Sequence, residues 1–286
     1  MNTQQTRMYN DVSFLTSIRP YRNFKNLESL EKVVNYMQTE FQKYGYQPLK
    51  QNWSVNGNEY TNLIASYNEH KTKRLIIGAH YDVCGNQDGA DDNASAIAGL
   101  LETARLIAEK APDLDYRIDL VAYCLEEPPF FGTENMGSYI HAKSLFDNNE
   151  DIIGMICYEM IGYFSDEPNS QKYPSPTLAK LYPSIANFIV VVGIKEYRAF
   201  NDRVYRYMKK NGGIDVQIIN FPSDNDLAGL SDQRNYWKFG YNALMINDTS
   251  FIRNPNYHKK SDTIDTLDFS KMSTVINCCY NAIVNF

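Results

Sequence analysis

Acidic and imidazole side chains gather at a few places in this sequence. His80 lies in GAHYDV, Asp91 and Asp92 in GADDNAS, Glu126 and Glu127 in CLEEPPF, Glu159 in CYEMIGY, and His258 in NPNYHKKSDT. A lone histidine says little, and Asp91-Asp92-Asn93 could simply cap a helix, because Asp and Asn accept hydrogen bonds from the free N–H groups of a first turn. A cap needs one such residue, however, and leaves the second carboxylate and the preceding Gly89-Ala90 unexplained. Glu126-Glu127 is harder to treat as incidental, since adjacent carboxylates after an apolar run repel each other unless a positive charge lies between them. A divalent cation supplies that charge. Zinc takes His nitrogen and carboxylate oxygen, and a carboxylate shared by two ions makes a two-metal centre with the ions roughly 3.5–4 Å apart. Two histidines and three carboxylates are the inventory such a pair needs.

These residues act together only if the chain carries them to one place. Leu30, Val33, Val34, Met37, Phe41 and Tyr44 recur at helical steps and predict an amphipathic helix over 26–44 that ends at Gly45. Strand-like runs at 49–55 and 61–67 precede RLIIGA at 74–79, a short unbroken apolar run suited to a strand buried on both faces. Helical spacing over 93–110, a β-rich run at 116–125, a helix at 137–146 and a strand at 152–157 follow. The stretch 164–184, with four prolines, reads as a surface excursion of the kind that borders an active site. Beyond it come a strand at 188–193, a helix at 202–210, strands at 216–220 and 241–247, and a helix at 270–284. This alternation predicts an α/β fold: one domain over 1–286, with a central mixed, mostly parallel sheet covered by helices on both faces. In such a sheet, residues just past the carboxyl ends of strands converge on one crevice, which is where the two histidines and the carboxylates fall.

Composition limits the partners. The chain has 286 residues, 43% of them hydrophobic, with a formal net charge of −6. That acidity argues against binding nucleic acid or an anionic membrane. No stretch approaches 18 consecutive apolar residues, and the opening MNTQQTRMYNDVSF lacks the build of a secretory signal, so a cytoplasmic location is expected. The five cysteines are odd in number, form no CxxC pair and sit mostly in apolar runs, as reduced core thiols do.

GAHYD, GADDNAS, Glu-Glu after a strand, an acidic residue before MIGY, and YH with SDT downstream together resemble the co-catalytic di-zinc aminopeptidase family, zinc-dependent exopeptidases related to glutamate carboxypeptidase II and the glutaminyl cyclases. The resemblance spans Leu75 to Thr263. It implies the phosphorylase/hydrolase-like fold of those enzymes and two zinc ions. His80, Asp92 and Glu159 would hold one ion, and Glu127, His258 and the same Asp92 the other. Glu126 would be the general base, and Asp82 would orient the His80 imidazole. Glu159 stands where the family has Asp, and its extra methylene changes the reach to that ion. The family's SDH segment is Ser231-Asp232-Gln233 here, so that His is missing; Ser231 and Asp232 are expected to support His258, and Asp91 to be structural or to hold a metal ligand in place.

The implied activity is hydrolysis of the N-terminal peptide bond of a peptide with a free amino terminus. Phe130, Phe131, Tyr163, Phe221, Tyr236 and Tyr257 lie near the motifs and are expected to form an apolar pocket for the first side chain, with Tyr257 or Tyr163 donating to the developing oxyanion. Three other readings use the same residues: a glutaminyl cyclase-like aminoacyltransferase with one zinc, an amidohydrolase of non-peptide amides, and a non-catalytic binding module.

Overall fold

Apolar runs too short for a helix form the centre of the molecule. The computed structural model describes residues 1–286 and contains strands β1 (Leu49–Val55), β2 (Asn58–Tyr67), β3 (Arg74–His80), β4 (Arg117–Tyr123), β5 (Ile152–Glu159), β6 (Phe188–Ile194), β7 (Asp215–Phe221) and β8 (Ala243–Asn247). Its helices are α1 (Thr3–Ser17), α2 (Leu27–Lys43), α3 (Ala96–Lys110), α4 (Gly137–Asp147), α5 (Pro176–Leu181), α6 (Arg198–Asn211), α7 (Gln233–Trp237) and α8 (Phe269–Ile283). The strands make one sheet in the order β1-β2-β4-β3-β5-β8-β6-β7. Four adjacent strands, β4, β3, β5 and β8, run parallel. At one edge β2 runs antiparallel to β4 and β1 antiparallel to β2, and β6 with β7 forms a parallel pair that meets β8 antiparallel.

Alternate side chains of each strand face opposite layers. Leu75 and Ile77 of β3 join a cluster of 55 buried residues with α1, α2, α3, α6 and α8, while Ile76 joins one of 13 residues with α4 and α7. Burial on both faces is what lets β3 and β6 be nearly uninterrupted apolar runs. No helix is long and apolar enough to cross a membrane.

The structure departs from the sequence reading in three places that matter. Helix α1 occupies the polar start. Its buried stripe of Met8, Val12 and Leu15 also contains Asp11, whose carboxylate is gripped by the Arg105 guanidinium of α3 at 2.6 and 3.0 Å. A buried charge inside the stripe hides its period. The helix expected over 93–110 starts only at Ala96. Ala90–Ser95 forms a wide turn in which Asp92 (φ −102°, ψ 89°) and Asn93 (φ −133°, ψ 34°) are not helical. The excursion 164–184 carries the short α5, and Gln171 is its one buried residue. Gln171 donates to Thr249 Oγ1 (2.9 Å) and accepts from Arg253 Nε (2.8 Å), tying the excursion to the loop after β8.

Candidate active site

Each expected site residue leaves the sheet at the same edge. His80 is the last residue of β3 and Glu159 the last of β5, Glu126 and Glu127 follow the end of β4, Asp92 lies in the turn between β3 and α3, and His258 belongs to the loop after β8. Because β4, β3, β5 and β8 are parallel neighbours, their carboxyl ends open on one crevice. His80 Nε2 lies 3.4 Å from Asp92 Oδ1, 3.3 Å from Glu159 Oε2 and 3.7 Å from Glu126 Oε2. His258 Nε2 lies 3.0 Å from Asp92 Oδ2 and 3.3 Å from Glu127 Oε2. Asp92 thus presents one carboxylate oxygen to each imidazole. All of these side chains are buried except His258, which is about half-buried.

The supports are partly other than expected. The Asp82 carboxylate is 3.6 Å from His80 Nδ1, and the nearer neighbour of that nitrogen is the Asp82 main-chain oxygen at 3.2 Å. The carboxylate accepts instead from the backbone N–H groups of Glu126 (3.2 Å) and Glu127 (3.1 Å), so it fixes the turn that carries both glutamates. Ser231 donates to Glu159 Oε2 at 2.7 Å and does not reach His258, and Asp232 sits on the same His80–Glu159 side. Asp91 is structural, accepting from Gly162 N (2.9 Å) and Asn254 Nδ2 (2.7 Å). Two supports escape sequence reading. Asp262 accepts from Asp91 N (2.9 Å) and Asp92 N (3.1 Å). Arg22, fully enclosed, donates to the carbonyls of Leu15, Tyr81, Asp88 and Gly89 and braces the turn from behind. The SDT segment containing Asp262 was visible in the sequence; nothing marked Arg22.

Gly89 opens the Asp92 turn at φ +58°, and a Cβ there would meet the Asp92 carbonyl oxygen at 2.3 Å. Gly89→Ala is expected to displace Asp92 and to destabilise the fold by about 1–3 kcal/mol, the usual cost of a strained left-handed residue plus crowding. Urea unfolding and metal content of the variant would check this.

The centre has the electrostatics of a cation site. Asp82, Asp92, Glu126, Glu127, Glu159 and Asp232 are all buried around the two histidines, and Glu127 Oε1 and both Asp232 oxygens have no hydrogen-bond partner. Burial pushes Glu126 well above the usual carboxylate range, and raises Glu127 to about 8 and Asp232 to about 7. Burial pulls His258 down, but Asp92 and Glu127 outweigh it and lift the imidazole to about 10. Crowded, buried carboxylate oxygens beside two imidazoles fit divalent metal: His80 with Asp92 and Glu127, and His80 with Glu126 and Glu159, form groups whose ligand atoms lie within 4.8 Å.

A pH dependence follows. Glu127 and Asp232 hold protons in the folded chain that the unfolded chain releases near its ordinary carboxylate values, so without metal stability is highest below those values and falls as pH rises toward 7–8. His258 has the same sign between 6.5 and about 10. Chelator-treated protein is expected to unfold at lower urea at pH 8 than at pH 5.5, and zinc to restore more stability at pH 8, where fewer protons must leave its ligands.

An apolar cavity of roughly 200 Å³, open to solvent, adjoins the cluster, with Glu126, Glu127, Glu159 and His258 on its wall. Of the aromatics expected there, Phe131, Phe221 and Tyr257 line it. Phe130 packs on Phe24 and Tyr60, and Tyr236 is buried with its hydroxyl on Tyr123 and His141. Tyr163 contributes its backbone N–H to Asp248 and is not on the wall. Tyr173, Leu178 and Tyr182 bring the 164–184 excursion to the cavity as expected. Four of the cysteines are buried and all five are free; Cys84, only half-buried, lies beside Glu127 and His258 rather than in the core.

Residues 62–283 match the model of Peptidase family M28. YfbL of Escherichia coli (strain K12) is 37% identical over 283 residues, covering 96% of this chain and 86% of that protein. Among solved structures, LapA aminopeptidase of Legionella pneumophila superposes with a TM-score of 0.77 at 19% identity, covering 98% of this chain and 71% of that one. The glutaminyl cyclase of Bacteroides thetaiotaomicron gives 0.73 at 19% identity, covering 99% of this chain and 98% of that one. At such identities the likeness to solved structures is one of fold.

Proposed function

The chain belongs to peptidase family M28, and from that premise we propose that it is a two-zinc aminopeptidase that removes N-terminal residues from peptides. The observation that carries this reading is Asp92, with one oxygen 3.4 Å from His80 and the other 3.0 Å from His258. His80, Asp92 and Glu159 would hold one zinc, and Asp92, Glu127 and His258 the other. Bound there, such ions activate water and polarise a carbonyl oxygen. Glu126 accepts the proton of the attacking water and delivers it to the leaving amine. Burial, opposed by His80 and reinforced by Glu127 and Glu159, raises its proton affinity above that of an ordinary carboxylate, which favours its holding the proton between the two transfers. Asp82 holds the Glu126 main chain and so fixes the point from which the base reaches the site.

The carboxylate-rich rim draws in the free α-ammonium, and the apolar cavity takes the first side chain. Tyr257 stacks on the His258 ring at 3.8 Å, and burial together with the surrounding carboxylates keeps its hydroxyl protonated as a donor to the oxyanion. Leucyl and phenylalanyl anilides are therefore expected to exceed alanyl ones in kcat/KM by about 10–200-fold per well-buried group. Aspartyl and lysyl substrates should be poor, and N-acetylated ones inert. Zinc stoichiometry measured with this panel tests the reading. One zinc per chain with a pyroglutamyl product from an N-terminal Gln peptide would instead identify a cyclase.

A further inference from the structure

We infer that the Cys84 thiolate is a protein ligand of the metal held by Glu127 and His258, an inference that rests on the metal centre proposed above. Cys84 lies in the segment that leaves β3 and folds back over the site. Its main chain is pinned on both sides: Val83 N donates to the Arg22 carbonyl at 3.2 Å, and the Gly85 carbonyl accepts from Asn23 Nδ2 at 2.6 Å. The side chain is thereby delivered to the cluster. Cys84 Sγ, a Glu127 carboxylate oxygen and a His258 ring nitrogen all lie within 4.8 Å of one another. Independently, Glu127 Oε1 is buried with no hydrogen-bond partner, an acceptor left for a cation at this end of the site. Donors to one zinc, with bonds of about 2.0–2.3 Å, stand within roughly 4 Å of their neighbours in the shell, so side-chain adjustments of about an ångström close the group.

A sulfur donor changes what this end of the centre accepts. Carboxylate and imidazole alone admit magnesium, calcium or manganese as well as zinc, whereas a thiolate favours zinc and cobalt over those harder ions. On binding, the thiol proton is released to solvent and the sulfur lone pair is shared with the metal. Cys124, Cys157, Cys278 and Cys279 are buried in the core, so Cys84 is the one thiol open to a reagent in the folded chain.

The test is spectroscopic and uses the full chain, stripped with chelator and reloaded with cobalt(II). A near-ultraviolet thiolate-to-cobalt charge-transfer band is expected, and its loss, per cobalt bound, in Cys84→Ser. In the unmutated protein, zinc should slow iodoacetamide alkylation of Cys84 by about tenfold or more, since the free thiolate is the reacting species, and magnesium should not. Cobalt bound without the band, or the same band in Cys84→Ser, overturns this inference alone. Failure to take up cobalt at all overturns the metal-centre reading along with it. Alkylation at the same rate with and without zinc also overturns the Cys84 assignment, and that measurement does not depend on the variant folding.

Discussion

Glu126→Gln is expected to lower kcat by about 10²–10⁴-fold, the ordinary contribution of a positioned general base, while the protein keeps its metal content and its unfolding midpoint. The separation of these readouts is the point of the experiment. Glutamine has the same shape, its main-chain N–H can still donate to Asp82, and a neutral side chain is no costlier to bury at a position where burial already disfavours the anion. What it loses is the capacity to take a proton from water. Glu127→Gln, one residue away on the same Asp82-fixed turn, should behave differently: metal falls first and activity follows, because Glu127 faces His258 at 3.3 Å. Ordinary turnover by Glu126→Gln would defeat the proposed mechanism, and equal metal loss in both variants would defeat the division of labour between them. The readouts are kcat on a leucyl anilide and metal per chain by elemental analysis.

Asp92→Ala is expected to have the widest effect of any single ligand change. Every other candidate ligand is placed toward one metal in the proposed scheme, but Asp92 faces both histidines. His80→Ala and Glu127→Ala should each weaken one metal position, whereas Asp92→Ala should reduce metal content from two per chain toward zero and abolish activity. The apo fold should survive, because Asp262 grips the turn through the backbone N–H groups of residues 91 and 92, which the substitution leaves in place. Zinc should then no longer raise the unfolding midpoint, a gain that amounts to about 2.7 kcal/mol for a ligand at 100 times its dissociation constant. A thermal-shift titration with zinc compares the variants directly. Two zinc ions retained in Asp92→Ala would show that the carboxylate is not shared.

The legible part of the site was its donor inventory. His80, Glu126, Glu127 and Glu159 could be placed because apolar runs mark strands, and strand ends in a parallel sheet converge. Glu126-Glu127 stood out because two adjacent carboxylates after such a run are electrostatically expensive without a cation. Supports were less legible for a physical reason: they act through backbone groups. Asp82, Asp262 and Arg22 bind N–H and C=O groups, which every residue has, so neither residue type nor spacing announces the pairing. Helix α1 was lost to its buried Asp11, and the start of α3 was misplaced because Asp92 and Asn93 adopt non-helical geometry that helical periodicity cannot register.

Sequence alone therefore determined the fold class, the order of the motifs and which side chains could bind a cation, since these follow from local periodicity and from the chemistry of each residue. Only the tertiary structure decided the pairing: which oxygen of Asp92 meets which histidine, that Ser231 serves Glu159 and not His258, that Cys84 joins the cluster and leaves the core, and which aromatics wall the cavity. Contacts between residues as distant in sequence as Asp92 and Asp262 depend on sheet order and on the direction each turn takes. Both are set by packing the whole core, on which no single segment carries the information.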